Sequence, residues 1–541
     1  MKQKLNLLTI LLLLFCVQAS DAQTVIKDNP EAAQLRDKFQ NGTAELSNYN
    51  TACYLALAGD KELALTFLKK AIYTDGFSNV KNIESDTDLV SLHNDPAWKE
   101  LIKAVAANGN KGSNSKNLFF NQPAFWESNG LKSKYKADLS ADEKVAGLSK
   151  FWSEAKYNFV NFDLIPKLNF DSLYFAYLPK VRESKSTYDY YKLMTQFCAQ
   201  LKDGHTNVFP PDALSNDVYS RPLLRSRLIE DKVIIVGVFD ANLEKQGIKT
   251  GQEVISINGM PVKTYADKLV SPYQSASTPQ DLDSRAYEYS LFSGSANEPL
   301  QLELMDQSGR KASYTVNRIK PAERPKIPGS GPFEFKMLKG NVAYIALNGF
   351  DTDSAAKAFA KNFPEIAKAD AIIFDVRNNG GGNSSVGWNI LSYLVDKASP
   401  ISAWYTRDYK PSYRAWESPQ QVFGSSNSLQ PNGKFYYSKP VIVLTGPKTY
   451  SAAEDFAAAF KSLNRGIILG KASGGSSGQP LSISLPGELS ARICTKRDKL
   501  ANGLDFVGVG VIPDKVVGQT VADFRKGIDT DLEAALKELK K

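Results

Sequence analysis

Residues 441–456 read VIVLTGPKTYSAAEDF, an unbroken apolar run followed by a turn and a stretch of small residues. Three further apolar runs lie on either side of it: VAYIAL at 342–347, AIIFDV at 371–376 and GIILG at 466–470. Continuous apolar strands that alternate with helical stretches are typical of a sheet covered on both faces. The sequence therefore predicts a multidomain chain that ends in an α/β core over residues 334–541.

Three regions precede this core. Residues 219–318 hold the strand KVIIVGV, then a helix, a glycine turn and the strand EVISING. Residues 114–215 are predicted to form a helical cap because they show helical periodicity with many aromatic residues. Residues 23–113 contain a helix pair with tetratricopeptide-like small and apolar positions, although a plain helical hairpin fits equally well. Residues 106–117 are rich in Gly, Asn and Ser and are predicted to be a linker.

The first 22 residues predict export to the periplasm or the extracellular space. Lys2 and Lys4 precede an apolar run, and Ala22 ends a small-residue cleavage site. Phe15 is a poor lipobox residue, so cleavage is favoured over lipidation at Cys16. No later stretch is long and apolar enough to span a bilayer, and we expect no integral membrane segment once the signal is removed.

Composition excludes some functions. The net charge is +8, but the basic residues are scattered, which argues against a nucleic-acid partner. The four cysteines have neither a disulfide-framework spacing nor a metal-ligand spacing. Only His93 and His205 are present, so any mechanism that needs imidazole must use one of them.

Ser451 is the first candidate for chemistry. It lies at a strand-to-helix junction, where a serine often serves only as a helix cap. The same position suits catalysis, because helix-end amides stabilise an arriving negative charge. A second candidate segment is FDVRNNGGG at 374–382, whose glycines allow close approach of a ligand to backbone N–H groups.

Together these segments resemble the "SASAAE" and "DLRNNxGG" motifs of the C-terminal-processing (tail-specific) and tricorn-like serine peptidases. The resemblance covers residues 124–541 and includes the ending GVGVIPD at 508–514. It implies a crotonase-like core, an acyl-enzyme mechanism without metal or cofactor, and polypeptide substrates. It also implies Ala452 N–H as one oxyanion donor, with Gly381 or Gly382 as the second. Residues 247–257 resemble part of a PDZ domain, with Gln252 in place of the commoner Asp.

The residue expected to act as general base differs from the one in the better-known branch of this family. Tail-specific relatives carry a lysine 25 residues after the serine, and that position here is Ser476. Lys471 comes five residues earlier and is left as an alternative base. The segment DGHT at 203–206 matches the histidine-containing branch, so the resemblance implies His205 as base to Ser451.

An acid is needed to orient the imidazole. Asp505 is the carboxylate nearest the position that tricorn-like relatives use, and Glu454 is an alternative. A different class of function also stays open, namely a non-catalytic binding protein that keeps the fold. The tetratricopeptide-like region could in addition bind a protein partner.

Overall fold

The structure, a computed structural model, describes residues 47–114, 132–326 and 329–541. The predicted signal segment 1–22, including Cys16, lies outside the described residues. Two compact units divide the chain, Met1–Ser128 and Asn129–Lys541. Within the described ranges, every helix is too short or too polar to cross a membrane.

The described part of the first unit is helical. Its helices are α1 (Asn48–Leu57), α2 (Lys61–Tyr73), α3 (Val80–Ser85) and α4 (Trp98–Asn114). The Asp60 carboxylate caps α2 by accepting a hydrogen bond from the Leu63 N–H at 3.1 Å. The linker predicted from residue 106 is wrong as far as Asn114, because α4 continues through it. The Asn108 side chain donates to the Ile72 carbonyl at 2.6 Å and so ties this part of α4 to the end of α2.

The second unit begins with a helical layer. Its elements are α5 (Ala141–Asn158), α6 (Phe170–Arg182), α7 (Thr187–Ala199), β1 (Asn207–Phe209) and α8 (Ser215–Val218). A capping box starts α5, in which Ser140 and Glu143 bond to each other's backbone N–H. Phe151, Phe159 and Phe197 are fully buried in the core of this layer. The loop between α7 and β1 carries His205.

An antiparallel sheet with its own hydrophobic core follows. Its elements are β2 (Leu224–Ile229), β3 (Lys232–Val238), α9 (Ala241–Lys245), β4 (Glu253–Ile257), β5 (Met260–Pro261), α10 (Val262–Tyr265), α11 (Pro279–Asp283), β6 (Leu300–Met305) and β7 (Lys311–Val316). The strand order is β2-β3-β4-β6-β7, with β5 paired to β4. The strand predicted from KVIIVGV is confirmed as β3.

The remaining residues form the α/β core. Its strands are β8 (Phe333–Leu338), β9 (Val342–Leu347), β10 (Ala371–Asp375), β11 (Ser399–Asp408), β12 (Gln421–Leu429), β13 (Val441–Thr445), β14 (Ile467–Gly470), β15 (Pro480–Ser484), β16 (Ser490–Cys494), β17 (Lys496–Leu500) and β18 (Lys515–Val516). Its helices are α12 (Ser354–Ile366), α13 (Ser384–Leu391), α14 (Pro411–Ala415), α15 (Ala452–Leu463), α16 (Val521–Arg525) and α17 (Thr530–Glu538).

A six-stranded sheet organises this core. Its order is β18-β14-β13-β10-β9-β8, parallel from β18 to β9, with β8 antiparallel at the edge. One face packs against a core that includes Phe359, Ile390 and Phe456, and the other against a cluster that includes Ala535. Coverage of both faces explains why the four strands predicted from apolar runs, β9, β10, β13 and β14, are confirmed.

Two small antiparallel sheets complete the core. One has the order β12-β11-β17, and the other β1-β16-β15. In the second, Val208 of β1 lies opposite Ala491 of β16. This pairing brings the loop after α7 to the carboxyl ends of the parallel strands, where the loops after β10, β13 and β14 also lie.

Candidate active site

Ser451 lies in a strained turn between β13 and α15. Its φ of 54° and ψ of −125° are unusual for a residue with a side chain, and α15 begins at the next residue. The Thr449 hydroxyl holds the turn by donating to the Val376 carbonyl at 2.9 Å and accepting from the Gly446 N–H at 3.1 Å. The turn therefore fixes the backbone of Ser451 and holds its side chain at the amino-terminal end of α15.

His205 is held by the aspartate of its own loop. The buried Asp203 carboxylate accepts from the His205 N–H, the Thr206 hydroxyl and the Asn161 amide, each at 2.9 Å. A side chain at Gly204 would collide with the Tyr450 hydroxyl, which explains the glycine between Asp203 and His205. The Tyr450 ring stacks on the imidazole with centroids 5.3 Å apart and an interplanar angle of 11°.

The structure brings Ser451 and His205 into hydrogen-bonding contact. The imidazole Nε2 lies 3.1 Å from Ser451 Oγ. The other ring nitrogen, Nδ1, lies 2.7 Å from Ser476 Oγ. Ser476 is the residue at the position where tail-specific relatives carry lysine. The three side chains thus form a chain of hydrogen bonds from Ser451 through His205 to Ser476.

The environment of His205 favours a neutral imidazole. Only 5% of the residue is exposed. Burial is the main cause that lowers the pKa of His205 to about 3, and the charges of Arg492, Arg285 and Lys496 lower it further. A neutral imidazole has a lone pair that can accept the proton of the Ser451 hydroxyl.

Glu454 connects the turn that carries Ser451 to the Ser476 loop. This fully buried carboxyl accepts from Ser473 Oγ at 2.6 Å, from the Gly475 N–H at 2.7 Å and from the Ser476 N–H at 2.8 Å. It also accepts from the Ser451 N–H at 3.3 Å. Burial raises the pKa of Glu454 to about 8, while the bonds from Ser473, Ser476 and Gly475 oppose the rise. Glu454 acts on the loop backbone rather than on the imidazole.

Asp505 is not brought to His205. Its carboxylate accepts from Arg497 Nε at 3.0 Å and lies 3.3 Å from Lys499 Nζ. Arg497 is almost fully buried, and this charged partner holds Asp505 in place. Ser476, not Asp505, is the partner at Nδ1. The prediction of Asp505 as the orienting acid is corrected accordingly.

The glycine loop and α15 supply backbone donors near Ser451. A Cβ at Gly381 would lie 2.6 Å from Ser451 Cβ and 3.0 Å from the Ala452 nitrogen, so only glycine fits there. The Gly381 N–H already donates to the Asn379 side chain at 2.9 Å. Within the described residues, no hydrogen bond from the N–H of Gly382 or Ala452 is found. Of the two glycines predicted as alternative donors, Gly382 is therefore the one with a free N–H.

Lys471 lies in a different region. Its side chain packs against Gly518 and lines a cavity of about 600 Å³. The cavity is bounded by β2, the segment 280–288, the turn 445–448 and the segment 518–531. In the described part of the chain, Lys471 Nζ makes no hydrogen bond to Ser451. The structure therefore does not bring the alternative base to the serine.

One group of side chains has the composition of a metal site. Cys53, Asp86 and Asp88 are the only three such residues, among those that the structure describes, close enough to share an ion. They belong to the first unit, whereas Ser451, His205 and Ser476 belong to the second.

Ser451 and His205, both predicted from the sequence, contact each other, but their neighbours Ser476 and Tyr450 were not predicted. Ser476 and Tyr450 are recognised by their contacts with His205, and Ser476 lies 271 residues away from His205 in the sequence. The one available signal was that Ser476 replaces the lysine of related motifs.

Parts of the chain are similar to known peptidases. Residues 341–517 match peptidase family S41. A C-terminal processing peptidase, chloroplastic, of Tetradesmus obliquus is 24% identical over 312 residues, which is 57% of this chain and 60% of the relative. The carboxy-terminal processing protease CtpB of Bacillus subtilis is 28% identical over 249 residues, 46% of this chain and 44% of the relative. The chain thus spans about two fifths to three fifths of the length of these relatives.

Solved structures share the fold. The structure of mature CPAF complexed with lactacystin matches with a TM-score of 0.59 at 14% identity, covering 74% of this chain and 98% of that chain. Mature CPAF alone gives a TM-score of 0.58. Residues 341–517 are therefore a peptidase family S41 region, and the chain is similar to proteins named as C-terminal processing proteases.

Proposed function

We propose that this protein is an exported serine endopeptidase that hydrolyses polypeptides through an acyl-enzyme on Ser451. The observation that carries the proposal is the 3.1 Å contact between Ser451 Oγ and Nε2 of a buried, neutral His205. A nucleophile and a base within hydrogen-bonding reach, with the base oriented by a third group, are the general requirements for this chemistry.

His205 acts as general base in this proposal. Its Nδ1–H donates to Ser476 Oγ, which leaves Nε2 free to accept the Ser451 proton. As Ser451 Oγ attacks the peptide carbonyl carbon, the proton moves to Nε2 and is then delivered to the leaving amine. Water completes the second half of the reaction in the same way, with its proton passing to Nε2 as it attacks the acyl-enzyme.

The N–H groups of Gly382 and Ala452 stabilise the oxyanion. Both belong to segments that contact Ser451, and each lacks another partner within the described residues. Ala452 is also the first residue of α15, where the helix dipole favours negative charge. Gly381 gives this arrangement room by having no side chain, rather than by donating its own N–H.

Substrates are polypeptide ends or loosely folded segments in this proposal. The similar proteins named as C-terminal processing proteases support such substrates. We propose that the antiparallel sheet of residues 224–316 is a PDZ-like domain that helps to bind the polypeptide, which is supported by the order β3, α9, β4 that follows the predicted strand, helix and strand. The helical region of the first unit is proposed to bind a protein partner.

Cleavage of an unfolded protein tests the proposal. Ser451→Ala and His205→Ala are each expected to abolish cleavage, with Lys471→Ala as the matched control that retains it. Full activity of His205→Ala would exclude His205 as the base. Loss in Lys471→Ala alone would instead support a Ser-Lys mechanism.

A non-catalytic binding role is the competing function. It predicts that the wild-type protein binds polypeptides without cleaving them and does not react with a serine-directed phosphonate. One covalent phosphonate adduct on Ser451, identified by peptide mass spectrometry, would exclude that role.

A further inference from the structure

Two buried carboxyls face each other across one hydroxyl behind the site. Asp455 is the fourth residue of α15 and Asp498 lies in β17, and they are 7% and 5% exposed. Ser477 Oγ lies 2.8 Å from Asp455 Oδ1 and 3.1 Å from Asp498 Oδ2. Two negative charges on either side of one buried hydroxyl would repel each other strongly.

The number of protons limits the charge of this pair. A serine hydroxyl has one proton, and an ionised carboxylate can only accept. Ser477 can therefore donate to one carboxyl, and the other needs a proton of its own to complete its bond to Ser477 Oγ. Both contacts are satisfied at once only when the pair holds at least one proton, so the two carboxyls are not both ionised.

The neighbouring groups indicate which carboxyl holds that proton. Lys496 Nζ lies 2.8 Å from Asp498 Oδ1 and favours the ionised form of Asp498. Among the described residues no cation forms an ion pair with Asp455, and its Oδ2 accepts from the Ser384 hydroxyl at 2.6 Å. The protonated carboxyl is thus Asp455, which donates to Ser477.

This network reaches both loops that surround Ser451. Ser384 begins α13, two residues after Gly382. Ser477 follows Ser476, which contacts the His205 Nδ1. Asp455 itself belongs to the helix that begins directly after Ser451. A single side chain therefore joins the nucleophile helix to the glycine loop and to the Ser476 loop.

We propose that Asp455 is a positioning residue that works as a neutral carboxylic acid, sharing one proton with Asp498 through Ser477 and holding both loops against α15. The proposal rests on the proposed function, because Asp455 acts by keeping His205 and the Gly382 N–H in position. Loss of the shared proton leaves two carboxylates competing for one hydroxyl, and the loops separate from the helix.

Burial is the main cause that raises the pKa of Asp455 to about 7, followed by the charge of Asp498, with Ser384, Lys496 and Ser477 opposing the rise. The groups that face Asp455 are Asp498 and Lys496 on β17, the hydroxyls of Ser384 and Ser477, and Glu454 on its own helix. The protonated form is thus present at acidic pH and is lost as the pH rises through neutrality.

Steady-state kinetics from pH 5.5 to 9 test this role with two substitutions. Asp455→Asn keeps a neutral group that can donate and accept, and we expect its kcat at pH 6 to stay within about threefold of wild type, without the alkaline decline near pH 7. Asp455→Ala should lower kcat by about tenfold to a hundredfold with little change in KM, as expected of misplaced catalytic groups. Exposed Asp396→Asn is the matched control and should keep the wild-type profile. An Asp455→Asn variant as impaired as Asp455→Ala at pH 6 would overturn the proposal, since a carboxylate would then be required.

Thermal unfolding gives a readout that does not need activity. Between about pH 4 and pH 7 the folded protein holds a proton on Asp455 that the unfolded chain releases, so this group makes stability fall as the pH rises. The Tm of Asp455→Asn minus that of wild type should therefore increase from pH 5 to pH 7.5. A Tm difference that stays constant with pH would overturn the shared proton, even if the enzyme is active. A Tm difference that increases with pH in an inactive protein would support the shared proton and exclude only the proposed function.

Discussion

Two polar regions lie at the carboxyl ends of the same parallel strands, and they differ in how their charges are arranged. In the Ser451 region, Ser451 is half-buried and its neighbours His205 and Ser476 are almost fully buried. The Lys471 region is a cavity of about 600 Å³ lined by ion pairs. In it Lys448 pairs with Glu288 at 2.6 Å, and Arg377 pairs with Asp529 at 2.7 Å.

The difference shows why the serine has an imidazole partner. An imidazole must be neutral to accept a proton, and burial, together with the nearby cationic side chains, keeps His205 neutral. Lys471 and Ser476 both follow β14, and of the two it is Ser476, five residues later, whose side chain contacts His205. The predictions that follow test this division of roles.

The largest effect is expected from the two reacting residues. Ser451→Ala and His205→Ala should each lower kcat by at least about 10⁴-fold, because members of a catalytic unit fail together. Lys471→Ala should stay within about threefold of wild type, since its side chain contacts Gly518 and not the site. Initial rates on an unfolded protein substrate measure all three, and circular dichroism checks that each variant is folded.

The next effect concerns the glycine loop. Gly381→Ala should lower kcat by about 10²- to 10³-fold, the usual cost of disturbing an oxyanion site, because the new methyl group would press on Ser451. Gly380→Ala is the matched control, since a Cβ there meets nothing within 4 Å. Equal losses in both variants would contradict the packing argument and point to general loop disorder.

A smaller effect separates the two candidates for orienting His205. Ser476→Ala removes the partner of Nδ1 and should lower kcat by about tenfold to a hundredfold through misorientation of the ring. Asp505→Asn should change kcat by no more than about threefold, because Asp505 bonds to Arg497. The reverse order of effects would restore Asp505 as the orienting residue.

The smallest effect is on pH dependence. With the pKa of His205 lowered to about 3, kcat/KM should lack an acid limb near pH 6.5 and begin to fall only below about pH 4. The free energy of unfolding is expected to change with pH in the same direction. The unfolded chain takes up a proton on this histidine below about pH 6.5 while the folded protein does not, so stability decreases towards pH 3. His205→Gln should weaken this decrease, with His93→Gln as the control.

The fold of the core was predictable because its signal is local. Strands β9, β10, β13 and β14 are buried on both faces and are therefore continuously apolar, which the sequence displays directly. The end of α4 was not predictable in the same way. Polar residues suggested a linker, but α4 continues to Asn114, and within it the Asn108 side chain makes a tertiary bond to the Ile72 carbonyl.

The site was predictable only in part. Ser451 and His205 follow from motifs, but their partners follow from contacts that no local pattern encodes. Asp505 was predicted from its place in the sequence. In the structure it bonds instead to the buried Arg497, which also bonds to Asp163, 334 residues away in the sequence. Likewise, the choice between Gly381 and Gly382 depends on the Asn379 side chain, which occupies the Gly381 N–H.

The most direct test of His205 as the base is the rate of covalent modification of Ser451 by a serine-directed phosphonate, followed by intact-protein mass spectrometry in wild type, His205→Ala and Lys471→Ala. We predict one adduct on Ser451, formed at similar rates in wild type and Lys471→Ala and at least about 10³-fold more slowly in His205→Ala. An unchanged rate in His205→Ala, or a rate lost in Lys471→Ala instead, would contradict the assignment of His205.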